Sequence, residues 1–245
     1  MSKGSQYDEN KIMNIQILIC GNVAVGKTSI VKQYTEESYS HRYHNTLQSE
    51  LSKKEEIINQ EKVNVYIIDA PGDSRLVDLT KQMIRQAEGY IFVYDIYDKQ
   101  SFRDIELWIT LIKNTKSEFE QCQCILIGNK IDSRRNSSED ITYEQGNQKA
   151  KNFNMQFFET SAREGTNIVQ AIKKLAISIY HQKKGSIKQQ NIINEQQQSK
   201  QKDMILLQPQ ESSNTLIHSS DLHQMTTQPK TKKSLWSKIK SCFGK

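Results

Sequence analysis

The chain has 245 residues, of which 36% are hydrophobic and 25% charged, and this suits one globular domain with an appendage. No apolar run approaches the roughly 18 to 20 residues of a membrane-spanning helix, and the N-terminus carries no hydrophobic stretch typical of a signal peptide. We therefore expect a cytoplasmic protein.

The formal net charge of +6 is concentrated at one end of the chain. Residues 186–245 contain nine Lys and four acidic residues, so residues 1–185 are nearly neutral. A neutral domain offers no broad surface for a polyanion, and we expect no nucleic acid partner. The four cysteines follow no zinc-binding spacing and imply no disulfide framework.

Short apolar runs alternate with helical periodicity over residues 12–180, which is typical of repeated βα units. Five runs have the length of a buried strand: NIQILIC, VNVYII, GYIFVY, QCILIG and MQFF. Apolar residues at three-to-four spacing predict amphipathic helices over residues 102–112 and 168–179. The polar segment 48–58 predicts an edge strand in a hairpin. Together these patterns predict an α/β fold with a mainly parallel sheet.

Residues 21–29, GNVAVGKTS, fit the pattern G-x-x-x-x-G-K-[ST] directly after a predicted strand and at the start of a helix. Glycines let backbone N–H groups converge on phosphate oxygens, and the helix N-terminus adds partial positive charge. Lys27 would reach the β- and γ-phosphates, and Thr28 would bind Mg²⁺. The strand-loop-helix context disfavours the alternative, a glycine turn with a surface lysine. The predicted phosphate-binding residues are Gly21, Asn22, Val23, Ala24, Val25, Gly26, Lys27, Thr28 and Ser29.

Asn129, Lys130 and Asp132 in LIGNKID indicate which base is bound. A carboxylate at this loop can accept from the ring N–H and the exocyclic amine of guanine, whereas adenine lacks that donor pair. NKID alone is also compatible with a loop cap, but its position about 100 residues after the phosphate loop favours the guanine site. A P-loop kinase or ATPase is disfavoured by the same motif.

GNVAVGKTS, Thr46, DAPG at 69–72, NKID at 129–132 and TSA at 160–162 occur in the order of the Ras superfamily of small GTPases. The resemblance covers about residues 13–180, and YDIYDKQSFRDIELW is most similar to the Rab branch, although Ile68 stands where Rab proteins commonly have tryptophan. It implies a P-loop NTPase fold with a six-stranded sheet and five helices, GTP or GDP with Mg²⁺, and two switch segments. It also implies a monomer in vesicle traffic or membrane signalling, with effectors, exchange factors and activating proteins at the switches.

The resemblance assigns further roles by position. Tyr39 would stack on guanine, Thr46 would complete the Mg²⁺ shell and touch the γ-phosphate, and Asp69 would hold Mg²⁺ through a water. Gly72 would donate its backbone N–H to the γ-phosphate. For Tyr39 and Thr46 the alternative is ordinary loop residues. The residues expected to close over the base are Ser161, Ala162 and Arg163.

Two residues depart from the family pattern at the hydrolytic site. Asp73 stands where the family generally has a glutamine that orients the attacking water, and its carboxylate lacks amide donors and adds negative charge. Val23 places a branched side chain where an activating arginine would enter. We therefore expect slow hydrolysis, with Asp73, Lys27 and Thr46 as the candidate catalytic residues. Two alternatives stay open: Asp73 acts as a base, or a partner supplies the missing groups. A different class, a non-hydrolysing scaffold that binds partners through its tail, is also compatible.

The predicted domain occupies residues 12–184, after a flexible segment 1–11 and before a disordered, Gln/Asn-rich tail, 185–245. The tail ends in KTKKSLWSKIKSCFGK, with six Lys, four large apolar residues and Cys242. CFGK is a poor prenylation signal. Lysines with interspersed apolar residues still predict reversible association with an anionic membrane surface, which palmitoylation or atypical prenylation of Cys242 would strengthen. A solvated basic tail with an unmodified cysteine is the alternative.

Overall fold

The computed structural model of the protein describes residues 12–40, 49–71, 77–134 and 139–206. Six strands form one sheet in the order β2-β3-β1-β4-β5-β6. The strands are β1 (Met13–Cys20), β2 (Glu50–Ile58), β3 (Glu61–Asp69), β4 (Gly89–Asp95), β5 (Gln123–Asn129) and β6 (Gln156–Thr160). The helices are α1 (Lys27–Glu36), α2 (Val77–Gln86), α3 (Lys99–Thr115), α4 (Tyr143–Asn152) and α5 (Ile168–Leu206). The predicted fold class is confirmed.

Five of the six strands run parallel, and only β2 pairs antiparallel, with β3. The two residues that join β2 to β3, Asn59 and Gln60, both have positive φ (50° and 67°). Positive φ at both positions matches the right-handed twist of a tight hairpin. The predicted polar edge hairpin is therefore present, and it leaves β2 at the margin of the sheet.

Apolar side chains fill both faces of the sheet, as the continuous apolar runs predict. Helices α1 and α5 cover one face, where Ile30, Ile172 and Leu175 are buried. Helices α2 and α3 cover the other, where Ile84, Ile105 and Ile109 are buried. Because parallel strands end at the same edge, the loops after β1, β3, β5 and β6 lie together at the carboxyl edge of the sheet.

Helix α5 differs from the sequence prediction. We expected the domain to end at residue 184 and disorder to follow, whereas α5 continues to Leu206. Gln, Lys, Glu and Ile in residues 185–206 are compatible with a helix, and this stretch contains no proline. The side chains of residues 192–199 are exposed, so this part of α5 buries little surface. A helix that continues from a packed one can form through local propensity without a buried face. A prediction of disorder that rests on low burial does not take this into account.

The chain divides into two compact units, Met1–Gln196 and Gln197–Lys245. The first contains the sheet. Of the second, residues 197–206 are described, and they are helical. Among the described helices, none combines the length and the hydropathy required to span a bilayer. The predicted basic segment and Cys242 lie outside the described residues.

Candidate functional site at the carboxyl edge of the sheet

The loop between β1 and α1 is shaped by two close approaches of its backbone. A Cβ on Gly21 would lie 2.2 Å from the carbonyl oxygen of Val93, and a Cβ on Gly26 would lie 2.3 Å from Nδ2 of Asn129. Gly26 also has φ of 100°, which favours glycine. Helix α1 then begins at Lys27, so its free N–H groups face the loop. A loop of this shape at a helix N-terminus is an arrangement in which backbone N–H groups can converge on an anion.

The side chain of Lys27 folds back onto the start of this loop. Its Nζ donates to the carbonyl oxygens of Gly21, at 2.9 Å, and Asn22, at 2.8 Å. The residue is buried, and burial lowers the pKa of its ammonium group, although Asp69 nearby opposes that shift. Among the described residues its hydrogen bonds go to carbonyl oxygens, which carry no full charge, so the buried ammonium group favours an anion beside it.

Asp69 ends β3 beside the phosphate loop. Its Oδ2 accepts a hydrogen bond from Oγ1 of Thr28, while its buried Oδ1 has no hydrogen-bond partner among the described residues. Burial raises the pKa of Asp69 despite the opposing effects of Thr28 and Lys27. A buried carboxylate oxygen without a partner, next to a hydroxyl group, is a donor set that suits a hard divalent cation. The residues therefore fit Mg²⁺.

Asn129, at the end of β5, connects three loops. Its Nδ2 donates to the carbonyl oxygen of Val25 at 2.9 Å. Its Oδ1 accepts from Oγ1 of Thr160 at 3.1 Å and from the backbone N–H of Ala162 at 3.2 Å. The side chain is 1% exposed. One buried amide therefore sets the relative positions of the phosphate loop, NKID and TSA.

Lys130 and Asp132 follow Asn129 and face two different loops. Lys130 has φ of 75°, and its Nζ donates to the carbonyl oxygen of Ala24, which has φ of 65°. Strained backbone at two contacting non-glycine residues is typical of functional sites. Nζ also pairs with Asp95 at 2.7 Å. Asp132 accepts at Oδ1 from Oγ of Ser161, at 2.7 Å, and at Oδ2 from Oγ of Ser133, at 3.1 Å.

An ion pair joins the segments on either side of this pocket. Arg134 donates to both carboxylate oxygens of Glu159, with NH1 at 3.1 Å from Oε2 and NH2 at 2.5 Å from Oε1. This hydrogen bonding raises the pKa of Arg134. Arg134 follows NKID, and Glu159 precedes TSA, so the pair ties the two loops together.

The remaining predicted residues divide into described and undescribed ones. Ser29 lies in the first turn of α1, and Tyr39 and Val23 are exposed, at 39% and 45%. Arg163 Nη1 is 3.9 Å from Asp132 Oδ2. Thr46, Gly72 and Asp73 lie outside the described residues. Sequence reasoning missed four partners of the motifs, namely Asp95, Thr160, Arg134 and Glu159. Two of them lay in segments already quoted for the resemblance, Asp95 in YDIYDKQSFRDIELW and Thr160 in TSA, whereas Arg134 and Glu159 had no signal.

These features define the class of protein: a P-loop nucleotide-binding protein. They are the strand-loop-helix at β1, the buried carboxylate at the end of β3, and the joined loops after β5 and β6. The model of the Ras family matches residues 16–181. The chain is also 33% identical over 170 residues to the Ras-related protein Rab-3 of Caenorhabditis elegans, covering 69% of this chain and 76% of that protein. It is 32% identical over 168 residues to the Ras-related protein Rab-3A of Homo sapiens, covering 69% of this chain and 74% of that one.

The chain belongs to the Ras family and is a Rab-like small GTPase. Family membership confirms the nucleotide predicted from the sequence, GTP or GDP with Mg²⁺. Mg²⁺ in such a site neutralises charge on the β- and γ-phosphates.

Proposed function

We propose that this chain is a GTP-driven switch in membrane traffic whose intrinsic hydrolysis is slow. The observation that carries the nucleotide part is the buried amide of Asn129, which holds the phosphate loop and both base loops at one edge of the sheet. The traffic assignment rests on the similarity to Rab-3 proteins.

The proposed roles follow the site geometry. Lys27 and the amides of the loop bind the phosphates, and Asp132 accepts from guanine while Ser161 holds its other oxygen. Thr28 and Asp69 hold Mg²⁺, Asp69 through a water. Tyr39, Ala162 and Arg163 complete the base pocket. The roles proposed for undescribed residues rest on the sequence alone: Thr46 on Mg²⁺, and Gly72 and Asp73 at the γ-phosphate.

Slow hydrolysis is proposed from two side chains. Val23 is 45% exposed, which supports a branched group projecting from the phosphate loop where an arginine from an activating protein would enter. Such an arginine contributes a factor of roughly 10³ to 10⁵. Asp73, a carboxylate in place of an amide, orients water poorly beside an anionic phosphate.

Single-turnover hydrolysis of GTP tests this proposal. We expect the wild type to release phosphate more slowly than the order of 10⁻⁴ per second of an unassisted small GTPase. Asp73→Gln should raise the rate, and Val23→Gly should allow stimulation by an added arginine-bearing activator. Val169→Ala, which shortens another exposed valine, on α5, is the matched control and should leave the rate unchanged. A wild-type rate equal to that of an ordinary small GTPase would contradict slow hydrolysis.

The second candidate is a scaffold whose nucleotide is structural. The length of α5, which extends through Leu206, favours a role for the C-terminal segment in partner binding. Capture of partners with protein loaded with GDP or with a non-hydrolysable GTP analogue separates the two. A switch binds effectors in the GTP form only, whereas a scaffold binds them equally in both forms.

We further propose that the monomeric chain binds the cytoplasmic face of a membrane reversibly through residues 230–245. Each lysine near an anionic leaflet contributes about 1 kcal/mol, and Leu235, Trp236, Ile239 and Phe243 add apolar contact. Sedimentation with phosphatidylserine vesicles, at low and high salt, tests the charge contribution. Fractionation of Cys242→Ser from cells tests the lipid: unchanged membrane partition would exclude a lipid anchor on that residue.

A further inference from the structure

The side chain of Asn22, in the phosphate loop, is held between two residues of α3. Nε1 of Trp108 donates to Oδ1 of Asn22 at 3.0 Å. Nδ2 of Asn22 donates to Oδ2 of Asp104 at 2.7 Å. Asp104 and Trp108 are four residues apart on one helix, so they lie on the same face, one turn apart. Asn22 therefore spans one turn of α3.

The donors and acceptors in this arrangement allow one orientation of the amide. An indole N–H can only donate, and a carboxylate can only accept, so an amide is suited to lie between them. The second oxygen of Asp104 accepts from Nε2 of Gln100 at 2.6 Å, which fixes the carboxylate in turn. Trp108 is 8% exposed among the apolar residues of α3, so the indole is a rigid support.

The same residue orients the lysine of the motif. The backbone carbonyl of Asn22 accepts from Nζ of Lys27 at 2.8 Å. The two hydrogen bonds from the side chain to α3 limit how far the loop backbone at Asn22, and with it this carbonyl, can move away from the helix. We propose that Asp104 and Trp108 are positioning residues, which hold the phosphate loop through Asn22 and thereby set the rate of nucleotide release. This inference rests on the nucleotide site proposed above.

An exchange of charge between positions 22 and 104 tests it in the full-length protein. Asn22→Asp places two carboxylates face to face, and we expect release of fluorescently labelled GDP to become about tenfold faster. Adding Asp104→Asn to Asn22→Asp makes position 104 the donor and position 22 the acceptor. This double variant should release GDP at a rate within about threefold of wild type. Leu107→Ala, a change at an exposed neighbour on α3, is the control and should not alter release.

A spectroscopic readout follows the contact itself. The chain has two tryptophans, so Trp236→Phe leaves Trp108 as the only indole. In that background we expect the emission of Trp108 to change when EDTA releases GDP, because its N–H bonds to a residue of the phosphate loop. Asn22→Asp with Trp236→Phe should reduce that change, and the double exchange should restore it. Trp108→Phe keeps an aromatic ring of similar shape but removes the donor, and should accelerate release about threefold.

The outcomes separate this inference from the function on which it rests. Wild type that fails to retain labelled GDP overturns both. If the wild type retains GDP and Asn22→Asp releases it at the same rate as Leu107→Ala, only the role of α3 is overturned. If Asn22→Asp releases GDP faster and adding Asp104→Asn does not slow release again, the role of α3 is also overturned, because a general loss of stability would explain that result. If Asn22→Asp does not fold, wild-type release from Trp108→Phe overturns it.

Discussion

Nδ2 of Asn129 lies 2.9 Å from the carbonyl oxygen of Val25, 104 residues away, and this bond joins the base pocket to the phosphate loop. The same amide accepts from Thr160 and Ala162, so its loss would leave buried polar groups without partners on three loops.

We expect Asn129→Ala to lower the free energy of unfolding by about 2 to 4 kcal/mol, because unsatisfied buried donors and acceptors each cost about 1 to 3 kcal/mol. The affinity for GDP should fall at least about tenfold as the loops separate. Chemical denaturation and labelled-GDP titration measure the two effects. Asn152→Ala, at the exposed end of α4, is the matched control. Equal stability of the two variants would contradict the central role of Asn129.

Asp132→Asn should change the base that the protein selects. The carboxylate accepts two hydrogens from guanine, whereas an amide offers donors that match the extra carbonyl of xanthine. The bond from Ser161 can persist, since the amide retains one acceptor oxygen. We expect weaker binding of GDP and measurable binding of XDP, by competition against labelled nucleotide. Retained preference for GDP would show that another residue reads the base.

Asp69→Asn should stabilise the nucleotide-free protein at neutral pH. Burial holds the folded pKa of Asp69 above its usual value of 3.8, so the folded state binds more protons than the unfolded state between those two values. The contribution of Asp69 to stability therefore falls as pH rises through that window. We expect a higher Tm for Asp69→Asn at pH 7 and a smaller difference as pH is lowered towards 3.8.

The same variant should lose the effect of Mg²⁺ on nucleotide release, because the carboxylate that suits the cation is gone. In wild type EDTA should accelerate release of GDP, and in Asp69→Asn it should have little effect. A variant that is more stable yet keeps its sensitivity to EDTA would place the cation elsewhere.

The ion pair of Arg134 and Glu159 should contribute both to the stability of the folded protein and to the retention of GDP in the base pocket. Its side chains are 29% and 12% exposed, and its geometry is bidentate, so we expect a coupling energy of about 1 kcal/mol from the cycle of Arg134→Gln and Glu159→Gln. Either variant should also release GDP faster. The exposed pair of Lys113 and Glu120 is the matched control, with a coupling energy near zero. Equal coupling in the two pairs would contradict a special role for the first.

The sequence predicts the sheet well because its strands are buried on both faces and read as unbroken apolar runs, such as GYIFVY in β4. It predicts the loops that end those strands because GNVAVGKTS and NKID have fixed spacings. It could not predict the partners of these loops. Asp95 and Asp104 lie in the Rab-like run YDIYDKQSFRDIELW, but the run does not say what they contact, and Glu159 has no signal at all. Only the folding of distant segments brings these three residues to Lys130, Asn22 and Arg134.

The extent of α5 escaped prediction for a different reason. Gln- and Asn-rich composition indicates that a segment buries little surface, and the exposed residues 192–199 agree with that. Low burial does not exclude a helix continued from a packed one, because propagation adds a hydrogen bond for each residue that it orders.

The most direct test is calorimetric titration of the nucleotide-stripped, full-length protein in the presence of Mg²⁺, with GDP and with ADP. We predict saturable heat at one site for GDP, none for ADP, and none for GDP with Lys27→Ala, provided that the variant is folded by circular dichroism. No heat with GDP, or equal heat with GDP and ADP, would contradict the guanine-nucleotide site on which the proposed switch depends.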